Sequence, residues 1–97
     1  PGTDPMATWR VELAPAATRQ LKRAGADELV ALRGVILALA EDRRPPGVRK
    51  VRGSDLWRVG IRIDGAPWRV AYQLRTPERL VVVVRVVRRD EATYRQL

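Results

Sequence analysis

Four arginines recur within two neighbouring segments of this 97-residue chain, Arg58 and Arg62 in the first, Arg69 and Arg75 in the second. A guanidinium is planar, permanently charged and able to bond two oxygens of one phosphate at once, so such a set suits a phosphorylated partner. The chain has no histidine and no cysteine. Neither a serine triad, nor a zinc hydrolase centre, nor a two-histidine nuclease can therefore be built from it. Its 11 carboxylates are scattered, and the adjacent pairs Asp27–Glu28 and Glu41–Asp42 fit helix capping and solvated faces better than a metal site. The glycines are isolated turn or packing positions, with no phosphate-binding loop. No metal and no cofactor is expected. Arginine and tyrosine can still cleave a phosphodiester if the substrate supplies its own 2′-hydroxyl as the nucleophile.

The charge distribution points the same way. The sequence holds 19 Lys plus Arg against 11 Asp plus Glu, a net charge of +8 that favours a polyanionic partner. Residues 1–42 carry five cations and six acids, net −1, and residues 43–97 carry fourteen against five, net +9. The absence of cysteine and of any long apolar run leads to an expectation of a soluble, cytoplasmic protein with no membrane association. The opening PGTDP, residues 1–5, reads as an expression-tag remnant ahead of Met6, leaving a single domain over 6–97.

Holding those arginines on one surface requires a sheet. Trp57, Val59, Ile61 and Ile63 alternate with Arg58, Gly60 and Arg62, and Trp68, Val70, Tyr72 and Leu74 alternate with Arg69, Ala71, Gln73 and Arg75. DGAP at 64–67 is the turn between these two strands, and TPER at 76–79 leads into LVVVVRVV at 80–87. That last run lacks alternation and reads as a central strand covered on both faces, with Arg85 its only charge. Upstream, Trp9, Val11 and Leu13 mark a first strand. Pro15 opens a short helix ending at a Gly25 cap, and Asp27 caps a second helix that runs until Pro45–Pro46. Gly34 is expected to let the two helices pack closely, as a hairpin. The tryptophans and Tyr72 are assigned to the core. The expected fold is α+β, in the order β-α-α-β-β-β, with an antiparallel sheet core packed on the helical hairpin and its arginine face outward.

This order, with RKVRGSDLWRV at 49–59, the run Trp68, Arg69, Val70, Ala71, Tyr72, a valine-rich strand, and Arg88, Arg89 and Tyr94 after it, resembles the RelE/ParE toxin superfamily. The resemblance covers nearly all of the chain and implies the RelE-like microbial RNase fold. It implies a toxin of a type II toxin–antitoxin system, with a cognate antitoxin as one partner and mRNA in the ribosomal A site as the other. The superfamily holds two activities: RelE-like members cut mRNA on the ribosome, and ParE-like members poison DNA gyrase. For the first, the resemblance implies catalytic roles for Arg58, Arg69, Arg88 or Arg89, and Tyr94, with 2′-hydroxyl attack leaving a 2′,3′-cyclic phosphate. Arg49, Lys50, Arg52, Arg62, Arg75 and Arg85 are the expected RNA contacts. Gly60 stands where the family has a second sheet lysine, a departure that weakens the nuclease reading and keeps open both a gyrase inhibitor and a weakly active RNA- or ribosome-binding module.

Overall fold

The structure, a computed structural model, describes residues 9–89. The elements run β1 (Arg10–Leu13), α1 (Pro15–Lys22), α2 (Ala26–Ala38), β2 (Arg49–Lys50), β3 (Leu56–Ile63), β4 (Ala66–Arg75), a 3₁₀ turn (Thr76–Glu78) and β5 (Leu80–Arg88). They form one five-stranded sheet in the order β1-β5-β4-β3-β2. β3, β4 and β5 make the expected antiparallel meander, while β1 lies parallel to β5 and makes the sheet mixed. The short strand β2 extends the sheet from within the segment that the sequence marks as basic and turn-rich.

Local chemistry explains the turns. Asp64 and Gly65 both adopt positive φ, 50° and 81°, giving a two-residue hairpin whose twist suits the flanking strands. After the 3₁₀ turn, Arg79 takes the left-handed conformation and aims the chain into β5.

The uniform apolar run of β5 hides a bulge. Ala71 pairs with Arg85 and Tyr72 with Val83, so Val84 is an extra residue. Strict alternation would put Arg85 on the same face as Val81 and Val83. The inserted residue shifts the phase, so that Val81, Val83 and Val86 are all buried and Arg85 is exposed. The expectation that both faces of this strand are covered fails on the outer side, where Val84 and Val87 line an open groove.

On the inner side the core gathers Leu32, Ile36 and Leu39 from α2 and its end, Ala17 from α1, and Val59, Val70, Tyr72, Val81, Val83 and Val86 from the sheet. Past the end of β1, Gln20 of α1 takes over as the partner of β5, its Oε1 accepting the Val86 N–H at 2.6 Å.

The helix caps differ from the sequence reading. α1 stops at Lys22, and Gly25 is the N-cap of α2, its N–H donating to Glu28 Oε1 at 2.9 Å; Asp27 lies inside the first turn. α2 ends at Ala38, several residues before Pro45. Gly34 does not face α1: it is exposed, and an added Cβ would meet nothing within 4 Å. No helix among the described residues is long and apolar enough to cross a membrane.

Candidate nucleic-acid interface

The register of β3 on β4 places the arginines. Gly60 pairs with Arg69, Arg58 with Ala71 and Arg62 with Pro67. Arg69 is therefore the diagonal neighbour of both Arg58 and Arg62, and the residue directly across from it has no side chain. The result is a cleft of about 470 Å³ on the outer face, with Arg69 and Gly60 at its middle and Arg49, Arg58, Arg62 and Arg89 around it. Gly60 is what opens the space. Its φ is not positive and its backbone is unstrained, so its contribution here is the absence of a side chain between three guanidinium groups.

Supporting bonds fix the rim. Arg62 Nη1 donates to the Gly65 carbonyl at 3.1 Å, so the hairpin turn holds one arginine. The Arg89 N–H donates to the Pro67 carbonyl at 2.7 Å, extending the β4–β5 ladder by one residue and bringing that side chain to the cleft. Trp68, Val70 and Tyr72 point inward and anchor the strand that carries Arg69. The Trp68 indole N–H has no hydrogen-bond partner among the described residues.

A groove of about 460 Å³ adjoins the cleft, sharing Arg58 and Arg69, with Val51, Leu56, Ala71, Val84 and Val87 as apolar lining and Arg85 at its side. Cations thus flank an apolar strip. Among the described residues no cluster of three or more metal-ligating side chains exists.

Of the residues expected from sequence, Arg49, Arg58, Arg62, Arg69 and Arg89 meet at the cleft, and Arg85 joins them through the adjoining groove. Arg88 does not. It pairs with Trp68, whose side chain faces the core side, so the phase of the strand sends Arg88 to the opposite surface from Arg89. Arg75 shares the outer phase but pairs with Leu80 at the far end of β4, six residues or roughly 20 Å from Arg69, and lines neither space. Arg52 sits in the exposed turn after β2 and also lines neither. Lys50 pairs with Trp57 and lies on the inner-side phase of β2, its Nζ 5.9 Å from the centre of that ring. Tyr94 lies outside the described residues.

Two arginines were not expected. The Arg43 guanidinium lies over the Trp9 ring at 4.9 Å and that of Arg44 over Trp57 at 5.0 Å. Trp9 and Trp57 are half-buried, each core on one side and cation-bearing on the other. The sequence signal was present in the adjacent pair Arg43–Arg44, but nothing in the spacing joins it to tryptophans 34 residues upstream and 13 downstream. Beneath this loop the fully buried Tyr72 donates its hydroxyl to the Arg43 carbonyl at 2.5 Å. Burial first, and the nearby Asp42 charge second, push its pKa up from 10.0 to about 12, with Arg44 opposing them. Tyr72 is a structural phenol and is neutral at any physiological pH.

The described fold is thus a small mixed sheet with a helical pair on one face and an arginine cleft on the other. Isolated Escherichia coli RelE superposes with a TM-score of 0.70 at 23% identity, covering 92% of this chain and 99% of that one. The RelE–RelB complex from Pyrococcus horikoshii gives 0.68 at 19%, covering 87% and 98%. A RelBE toxin–antitoxin complex from Mycobacterium tuberculosis gives 0.69 at 20%, covering 84% and 99%. At these identities the likeness is one of fold. No curated relative matches at a significant level. The sequence itself matches the ParE toxins of type II toxin–antitoxin systems, parDE, over residues 11–93, and the chain belongs to that family, within the RelE/ParE superfamily.

Proposed function

We propose that this toxin acts on RNA through the outer-face cleft, as a ribosome-dependent, metal-independent mRNA endoribonuclease of the cytoplasm. The observation that carries the reading is the placement of Arg69 diagonally between Arg58 and Arg62, opposite a bare glycine, with Arg49 and Arg89 at the rim. A phosphate seated over Gly60 is surrounded by charge that is already in position, the arrangement that stabilises a transition state rather than a ground state. In this mechanism the 2′-hydroxyl of the substrate attacks the adjacent phosphorus, the bond to the 5′-oxygen breaks, and a 2′,3′-cyclic phosphate remains. Arg69 neutralises the charge that builds on the equatorial oxygens. Arg58 and Arg62 hold the flanking backbone, and Arg89 stabilises the departing 5′-oxygen electrostatically while solvent supplies that oxygen with its proton. Tyr94 is the proposed proton acceptor for the attacking hydroxyl. Its ordinary pKa near 10 requires neighbouring cations to make that credible at neutral pH.

A cognate antitoxin is the second proposed partner. Relatives of the same fold have been crystallised as RelE–RelB complexes, and a +8 chain is open to cover by an acidic segment.

The test is primer extension on an mRNA translated in a reconstituted system, with and without the protein. Codon-phased cuts that leave cyclic phosphate ends support the proposal. A second reading, DNA gyrase inhibition, is favoured by two observations: the family match to the parDE toxins and Gly60 in place of the expected lysine. A supercoiling assay run in parallel, positive while primer extension stays blank, would replace the first reading with the second.

A further inference from the structure

We infer that the loop joining α2 to β2 is a second RNA-backbone contact, in which Arg43 and Arg44, each seated on a tryptophan, grip phosphates on the far side of β2 from the cleft. This rests on the reading of the cleft as an RNA site and extends the path of the bound strand beyond it.

The backbone of the loop is held by several bonds that do not use its guanidinium groups. Tyr72 binds the Arg43 carbonyl, the Trp9 N–H binds the Ala40 carbonyl, the Arg44 N–H binds Asp42 Oδ1 and the Val48 N–H binds the Pro45 carbonyl. The cations are therefore displayed by a backbone framework to which only Arg43, through the Ala40 carbonyl, adds a side-chain bond. Trp57 carries two at once, Arg44 at 5.0 Å and Lys50 at 5.9 Å. One cation on a ring is a favourable contact, but a second brings like charges together, which is a poor way to staple a loop and a good way to hold a site for an anion.

A guanidinium has five N–H donors, so packing over a ring leaves it donors to spare for an anion. Arg43 spends one of these on the Ala40 carbonyl at 2.8 Å. Residues 43–54 contain five cations and no acid, and the nearest carboxylate upstream, Asp42, accepts the Arg44 N–H and lines the same hollow as Arg43 and Arg44.

The chemistry of the ligand follows from continuity. β2 is two residues long: Arg49 pairs with Arg58 and lines the cleft, and Lys50 pairs with Trp57 and joins Arg44. A single phosphate fits either side alone. Only a polyanion with repeating charges passes around this strand edge and meets both. Sites for single-stranded nucleic acid combine a positively charged track along the backbone with cation–π contributions from arginine.

The experiment compares wild type with Arg43→Gln/Arg44→Gln, using a fluorescein-labelled single-stranded oligoribonucleotide titrated between about 50 and 200 mM salt. Loss of two phosphate contacts should make the log–log salt slope shallower by about 1.4 and weaken binding at 0.1 M roughly 25-fold, with the circular dichroism spectrum unchanged. Arg44→Gln alone leaves the Arg43–Ala40 bond in place; it should lower the slope by about 0.7 and keeps the proposal testable if the double variant misfolds. Wild-type slope in both variants overturns it, as does a loss confined to duplex DNA or to an acidic protein partner. A wild-type protein with no salt-dependent RNA binding refutes the cleft reading instead.

Discussion

Gly60→Lys is the substitution for which the cleft makes the sharpest forecast. The backbone there accepts any side chain, because φ is not positive and an added Cβ would meet only the Trp68 carbonyl oxygen, at an ordinary 3.8 Å. Replacing glycine inside a strand recovers about 0.5–1 kcal/mol of backbone entropy. Against that stands repulsion from Arg69 directly opposite and from Arg58 and Arg62 two residues away on the same face, about 0.6–0.7 kcal/mol each for charges ~6–7 Å apart in water. Repulsion outweighs the gain by about 1 kcal/mol, so the urea midpoint should fall slightly. Binding should change more. One further phosphate contact steepens the salt slope for single-stranded RNA by about 0.7, which corresponds to roughly fivefold tighter binding at 0.1 M salt. Fluorescence anisotropy with a labelled oligoribonucleotide across a salt series reads both quantities, and Gly60→Leu, which fills the same space without charge, should bind more weakly than wild type. A lysine variant that folds normally and binds no more tightly, or less tightly than the leucine variant, would show that the cleft does not hold phosphate.

Three further expectations follow from the same geometry. With Tyr72 raised to about 12 in the fold and near 10 when unfolded, the neutral phenol is favoured by folding; stability should be fully present below pH 10 and fall by a few kcal/mol as pH rises to 12. Phenolate absorbance of a Tyr94→Phe variant should show a midpoint near 12, and Tyr72→Phe, which strips the Arg43 carbonyl of its donor, should cost about 1–3 kcal/mol by urea denaturation. Gly34→Ala should stabilise by about 0.5–1 kcal/mol in thermal unfolding, since the site is open, helical and exposed. Arg89→Gln should weaken RNA binding and lower the salt slope by about 0.7, whereas Arg88→Gln should leave the slope unchanged, because the two side chains leave β5 on opposite surfaces.

The cleft was legible in the sequence because β3 and β4 alternate cleanly: tryptophan, valine and tyrosine on one phase force Arg58, Arg62 and Arg69 onto the other, and the Asp64–Gly65 turn fixes the register that makes them neighbours. The residues that went wrong lie where phase information fails. LVVVVRVV has the same hydrophobicity at every step but one, so nothing marked the bulge at Val84, and that bulge decides which of Arg88 and Arg89 turns to the cleft. α2 is apolar nearly all round, with Val30 74% and Leu37 55% exposed, so periodicity did not show which way Gly34 points. Gly25 and Asp27 both suit caps; Glu28 three residues beyond Gly25 was the discriminating signal, through the side-chain bond back to the Gly25 N–H. The arginine–tryptophan stacks are tertiary contacts between distant segments and left no pattern to read.

The central claim, that the cleft stabilises a phosphoryl transition state, is tested most directly by single-turnover cleavage of end-labelled mRNA on programmed ribosomes, wild type against Arg69→Ala, at saturating protein. Removing one preorganised charge should lower the rate about 100- to 1,000-fold, some 2.7–4 kcal/mol, while ribosome affinity, shared among many cations, falls only severalfold. An unchanged rate, or no cutting by wild type under conditions where it blocks gyrase supercoiling, would contradict the account.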